Sequence, residues 1–149
     1  MKKRLCIVTI ILSALLIFAG CSSSAPMVNP LVPSDYPDPP ASERLIAQPI
    51  YMAWDGINGE SWSYEFSKDG IIEECSEPTY DPEDENAIEM EELPGGRYVW
   101  FQGVSPGDVV VTFTTKNAKG KVVSIQQTAF RVFDDLTIAL LHSENENFR

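Results

Sequence analysis

From Arg44 onward the apolar residues recur at every second position. In Ser61-Trp62-Ser63-Tyr64-Glu65-Phe66 the aromatic side chains share one face, while the serines and the glutamate share the other, the pattern of a half-buried strand. Val109, Val111 and Phe113 alternate in the same way with Val110, Thr112 and Thr114, and Tyr98-Val99-Trp100-Phe101 is a short run of strong strand formers. Leu136, Ile138 and Leu140 close the pattern. Between Val122 and Phe133 the phase slips, because Val123 and Ile125 are on odd positions and Phe130 and Val132 on even ones, which predicts a bulge near Gln127. Turn signals punctuate these runs at Asp55-Gly56, Asn58-Gly59, Asp69-Gly70, Pro94-Gly95-Gly96, Pro106-Gly107 and Lys119-Gly120. Six to eight short strands over about 105 residues predict an all-β fold, an immunoglobulin-like antiparallel sandwich. No internal repeat is visible.

The first forty-three positions follow other rules. Met1-Lys2-Lys3-Arg4 is basic, and Leu5 to Phe18 is apolar apart from Thr9 and Ser13. That run is shorter than the roughly twenty residues a spanning helix needs and ends in small residues, so residues 1–20 read as a secretory signal. Phe18-Ala19-Gly20-Cys21 is similar to a bacterial lipobox, in which small residues expose the bond before a cysteine that is then acylated. Cys21 is the expected lipidation site, and more than one acyl chain on it exceeds the single-chain threshold for stable anchoring. The expected location is the extracytoplasmic face of the cell membrane. Ser22 to Glu43 contains six prolines and little apolar periodicity, so residues 21–43 are expected to form an extended tether. At about 3.1 Å per residue it spans roughly 65–70 Å. Residues 44–149 are the expected domain, one in number.

Charge narrows the functional classes. The chain carries 11 basic and 22 acidic residues, for a net charge of −11. Loss of Lys2, Lys3 and Arg4 with the signal brings the product to about −14, which excludes nucleic acid as a partner. With His142 as its sole histidine and three cysteines, two of them in the export region, the chain lacks the parts for a His-dependent triad or a Cys/His metal site. No enzymatic activity, cofactor or metal is expected. Removal of Cys6 and acylation of Cys21 leave Cys75 as the free thiol, so no disulfide within a chain is available. Glu73, Glu74 and Glu77 raise its pKa, which predicts an inert thiol.

Three further features invite a chemical reading. Glu73 to Glu92 holds ten acidic residues and no basic one. It lacks the alternating carboxylates and the mid-loop glycine of an EF-hand, and nothing in its spacing selects a pair of carboxylates for glycoside hydrolysis. A solvated, self-repelling loop is expected. Trp54, Trp62 and Trp100 are candidates for a carbohydrate-stacking surface, but Trp62 is in phase with Tyr64 and Phe66 and reads as core, leaving Trp54 as the best exposed aromatic. His142, in phase with Leu140, reads as a surface or partly buried histidine.

The order of motifs from Trp54 to Leu141 carries a resemblance. The run Asp55 to Tyr64, then Ser67-Lys68-Asp69-Gly70-Ile71-Ile72-Glu73, then Leu93-Pro94-Gly95-Gly96, then Gly107 to Phe113, resembles the chagasin-type inhibitors of papain-like cysteine peptidases. The resemblance implies an immunoglobulin-like sandwich on an exported lipoprotein. It also implies three loops at one end that wedge into the protease cleft without being cut. The first loop of the family, Asn-Pro-Thr-Thr-Gly followed by an aromatic, falls on Asp55, Gly56, Ile57, Asn58, Gly59 and Glu60, of which Gly59 matches. The second, Gly-x-Gly-Gly, falls on Leu93 to Gly96, keeping Gly95 and Gly96 next to Pro94. The third, Arg-Pro followed by an aromatic, falls on Lys116, Asn117 and Ala118 and keeps a positive charge. The framework is thus closer to the family than the loops are. Two functions remain open: an anchored peptidase inhibitor, or a non-inhibitory module whose loop end binds another envelope protein or a wall polymer. The expected partners are the bilayer, through Cys21, and a peptidase or other envelope protein, with the domain itself monomeric.

Overall fold

The structure is a computed structural model that describes residues 26–53, 58–78 and 96–148. Seven strands follow one another: β1 (Ala47–Ala53), β2 (Ser61–Phe66), β3 (Ile72–Cys75), β4 (Gly96–Gly103), β5 (Gly107–Lys116), β6 (Val122–Val132) and β7 (Ile138–Asn147). They form two antiparallel sheets, ordered β1-β4-β3 and β2-β5-β6-β7, so the expected all-β sandwich is present. The order reproduces the B-E-D and C-F-G pairings of immunoglobulin domains, with β7 added beyond the G position. Pro49 lies within β1 without breaking the ladder because β1 is an edge strand, paired with β4 alone.

The alternation read from the sequence places the core. Val109, Val111 and Phe113 of β5 point inward and are sealed, facing Phe130 and Val132 of β6 and Val99 and Phe101 of β4. Trp62, Tyr64 and Phe66 of β2 pack against this cluster from one side and remain half-buried. The Tyr64 ring lies 5.5 Å from both Phe101 and Phe113, edge-on to the first and tilted to the second, geometries that favour aromatic pairs beyond simple burial.

Three expectations are corrected. The ladder irregularities are not at Gln127: they leave Val123 unpaired between Val122 and Ser124 in the β5–β6 ladder, and Leu141 unpaired between Leu140 and His142 in the β6–β7 ladder. The mixed phase of β6 has another cause, because both of its faces are covered. Thr128, Phe130 and Val132 face the core, while Ile125, Gln127 and Ala129 are buried on the outside of the sheet. Leu136 is not a strand residue. It occupies the turn before β7 at φ 64, a left-handed conformation costly for leucine, and its amide donates to the Phe133 carbonyl.

The third correction concerns the proline-rich segment. Its described part is not a free spacer but a strap that covers the outer face of β6. Short 3-10 turns at Pro33–Asp35 and Ala41–Glu43 bend it, the first packing on β5 and β6. The Leu31 amide donates to Gln127 Oε1 at 3.0 Å. Arg131 grips Asp108 with two parallel bonds of 2.7 and 2.8 Å, and the same guanidinium reaches Asp38 and the Pro33 carbonyl. Tyr36 stacks on His142 at 4.7 Å, and the Arg44 guanidinium lies 3.5 Å above the Phe133 ring. A bridge between Leu45 and Ile138 then delivers the chain into β1.

Candidate functional site at the loop end

An antiparallel sandwich of this order sends the β1–β2, β3–β4 and β5–β6 connections to the same end. The register makes this concrete: Ala53, where β1 ends, pairs with Gly96, where β4 begins, and Ser61, where β2 begins, pairs with Lys116, where β5 ends. Asn58, Gly59, Glu60, Gly96, Lys116, Asn117 and Ala118 are therefore gathered at one end. Cys21, Trp54, Asp55, Gly56, Ile57, Pro94 and Gly95 lie outside the described residues, as does the acidic run from Asp81 to Glu92.

The first and third connections touch. Gly59 has φ +72, open to glycine and strained for other residues, and a Cβ placed on it would lie 3.2 Å from the Cβ of Ala118. The third connection is a tight turn organised by one side chain. Asn117 Oδ1 accepts the amides of Lys119 and Lys121, each at 3.0 Å, the Asn117 amide donates to the Lys121 carbonyl, and Gly120 takes φ +77. This is an Asx-type turn, closed by one side chain and the backbone. Lys116, Ala118, Lys119 and Lys121 are exposed around it. Gly96 serves packing, since a side chain there would collide with the Tyr51 hydroxyl and the Met52 carbonyl.

Beside these turns the inner face of the β2-β5-β6-β7 sheet becomes polar and a cavity of about 340 Å³ opens. Met52 and Glu60 line one side, and Thr115, Gln126, Asn145 and Phe148 the other. Ser124 Oγ donates to Asn145 Oδ1 at 2.8 Å on its wall. Sequence reasoning missed the contribution of β7. The signal was present as the alternation Ser143, Asn145, Asn147, a polar set on what is elsewhere the core face.

The remaining candidates are placed differently. Trp100 is only 5% exposed, between Pro49 and Cys75 in the register, and Trp62 is half-buried, so neither offers a face for stacking a sugar. Trp62, Tyr64, Glu74 and Arg97 instead close the edge between β2 and β3. The Arg97 guanidinium lies 4.7 Å over the Trp62 ring and 3.5 Å from Glu74, and the Tyr64 hydroxyl donates to Glu74. Burial, then the Glu74 bond, pushes the Tyr64 pKa up to about 12. Cys75 is partly buried, and its thiol pKa is raised by that burial and by Glu73 and Glu74. Glu77, invoked from sequence, is not among the causes. His142 bonds Glu144 at 3.1 Å on the outer face, under the strap. Among the described residues no group of three His, Cys, Asp or Glu is placed to hold a metal ion, and no helix is long and apolar enough to cross a membrane.

No family model, curated protein or solved structure matches this chain.

Proposed function

We propose that this chain is a membrane-anchored, extracytoplasmic binding domain that works through its loop end, with a papain-like cysteine peptidase as the first target to test. The observation that carries the reading is the contact of Gly59 with Ala118. It brings two connections together at one tip, and a preformed tip loses little entropy on entering a cleft. Acylated Cys21 supplies the anchor. Such an inhibitor acts by occlusion alone and needs no reactive group.

The test is a tight-binding titration of the purified full-length chain in detergent against papain-like peptidases. Stoichiometric inhibition with the chain left intact supports occlusion. Gly59→Val is then expected to weaken it about tenfold, because a β-branched residue at that φ costs about 1–2 kcal/mol. No inhibition by folded chain at micromolar concentration removes the peptidase. The amide-lined cavity beside the tip favours the other reading in that case, a non-inhibitory module for a second envelope protein or a wall polymer. The anchor is tested separately, since Cys21→Ala is expected to move the protein from the membrane to the soluble fraction.

A further inference from the structure

The strap decides which end of the sandwich lies next to the anchor. Val28 and Asn29 lie against Ile125, Glu144 and Glu146, in the half of β6 and β7 nearest the Asn117–Lys121 turn. The chain then descends the outer face past Gln127 to the opposite end, where Arg131, itself held by Asp108, donates to Asp38 and to the Pro33 carbonyl. There it turns past Phe133, bridges Ile138 through Leu45 and rises again as β1. A linker entering β1 directly would put the anchor at the far end. The folded-back strap puts it at the loop end.

We propose that on the membrane the domain is held with its loop end toward the bilayer, so that the partner of Asn58–Glu60, Gly96 and Asn117–Lys121 is the extracytoplasmic part of a protein in the same membrane. This rests on the lipidation of Cys21 in the reading above. Seven residues lead from Cys21 to Val28, a reach of at most about 25 Å, less than the roughly 36 Å length of the eleven-residue β6. The loop tips are thus confined to the headgroup neighbourhood, and the Asp69-Gly70 turn is carried outward. A protein fits this site better than lipid, because a chain of about −14 is repelled by an anionic headgroup layer. Within that acidic chain, Lys116, Lys119 and Lys121 are exposed on the turn with no ion pair among the described residues, so the partner surface offers them carboxylates.

The experiment places a donor dye on the full-length chain, in a Cys75→Ser background, at Lys119→Cys or at Asp69→Cys. The acceptor is a headgroup-labelled lipid in vesicles of phosphatidylethanolamine with or without phosphatidylglycerol. Energy transfer is expected to be several-fold greater from position 119, and equal or reversed transfer overturns the orientation. Adding phosphatidylglycerol is expected to leave transfer unchanged. An increase that adding K116E/K121E to the position-119 dye variant abolishes would assign the turn to anionic lipid and overturn the protein partner. Failure of the chain to float with vesicles counts against lipidation and not against the strap, which an intramolecular measurement in detergent decides. There, the exposed Met27→Cys is expected to transfer more strongly to a dye at 119 than at 69, and Arg131→Ala to erase that difference. The reverse order, or a difference that survives Arg131→Ala, overturns the strap as the orienting element.

Discussion

The two faces of β6 are buried by different physics. On the inner face, Phe130 and Val132 meet apolar side chains from both sheets, Phe130 lying 6.0 Å from the Phe101 ring. That attraction is non-directional and shared by many neighbours, so it makes the sandwich one cooperative unit. On the outer face the cover is a single segment of chain held at a few points: the Leu31–Gln127 bond, the Arg131 cluster and the Tyr36–His142 stack. Such contacts are directional and local, and each can open without the core. Placement of the strap, and with it the direction in which the loop end faces, therefore depends on fewer residues than the fold does.

The sharpest way to test this contrast is to empty one face at a time. Phe130→Ala is expected to cost about 3–5 kcal/mol, read as lost stability in denaturant unfolding, with protection lost throughout both sheets. Arg131→Ala is expected to cost about 2 kcal/mol, with faster hydrogen exchange confined to residues 31–44 while β5 and β6 keep their protection. A global loss from Arg131→Ala as large as that from Phe130→Ala would erase the distinction between the faces. Gln127→Met keeps the volume but removes the acceptor for Leu31, and about 1 kcal/mol is expected to go, again in the strap. Asp38→Asn is expected to cost less than about 1 kcal/mol, because the Asp38 side chain is 63% exposed.

Alkaline titration gives the smallest and most selective effect. The Tyr64 pKa is raised from 10.0 to about 12, first by burial and then by its bond to Glu74, so the neutral hydroxyl contributes stability below pH 10 that is lost as the pH rises toward 12. The Arg131 pKa is also raised, chiefly by its bonds to Asp108 and Asp38, so the strap keeps its charge across that window. Stability is expected to fall between pH 10 and 12 while strap protection persists. Tyr64→Phe is expected to flatten the fall, and an unchanged slope in that variant would remove Tyr64 as its source.

Most of the sandwich was legible in the chain because side chains on a strand alternate at a period of two, so Trp62, Tyr64 and Phe66, or Val109, Val111 and Phe113, announce a face directly. The same logic misread β6. Burial on both sides mimics a slipped phase, and local pattern contains no sign that distant residues such as Leu31 and Tyr36 will lie over Ile125 and Ala129. It also misread Leu136, whose apolar character matched the strand while its backbone was committed to a turn. At the loop end, the glycines at 59 and 120 marked turns correctly, whereas Gly96 begins β4. The cavity wall from Asn145 and Phe148 was not legible, because these residues reach it only through the pairing of β7 with β6.

Sequence by itself determined the all-β class, the core faces of β2 and β5, the acidic charge and the expectation of an export signal, since each depends on composition or on residues close together in the chain. Tertiary structure alone decided that a proline-rich segment becomes a strap, that Gly59 meets Ala118, and that the chain leaves the sandwich beside its loop end. Those outcomes are contacts between residues 59 to 98 positions apart, such as Gly59 with Ala118 and Pro33 with Arg131. They depend on how two sheets and a strap share one surface, which no local periodicity encodes.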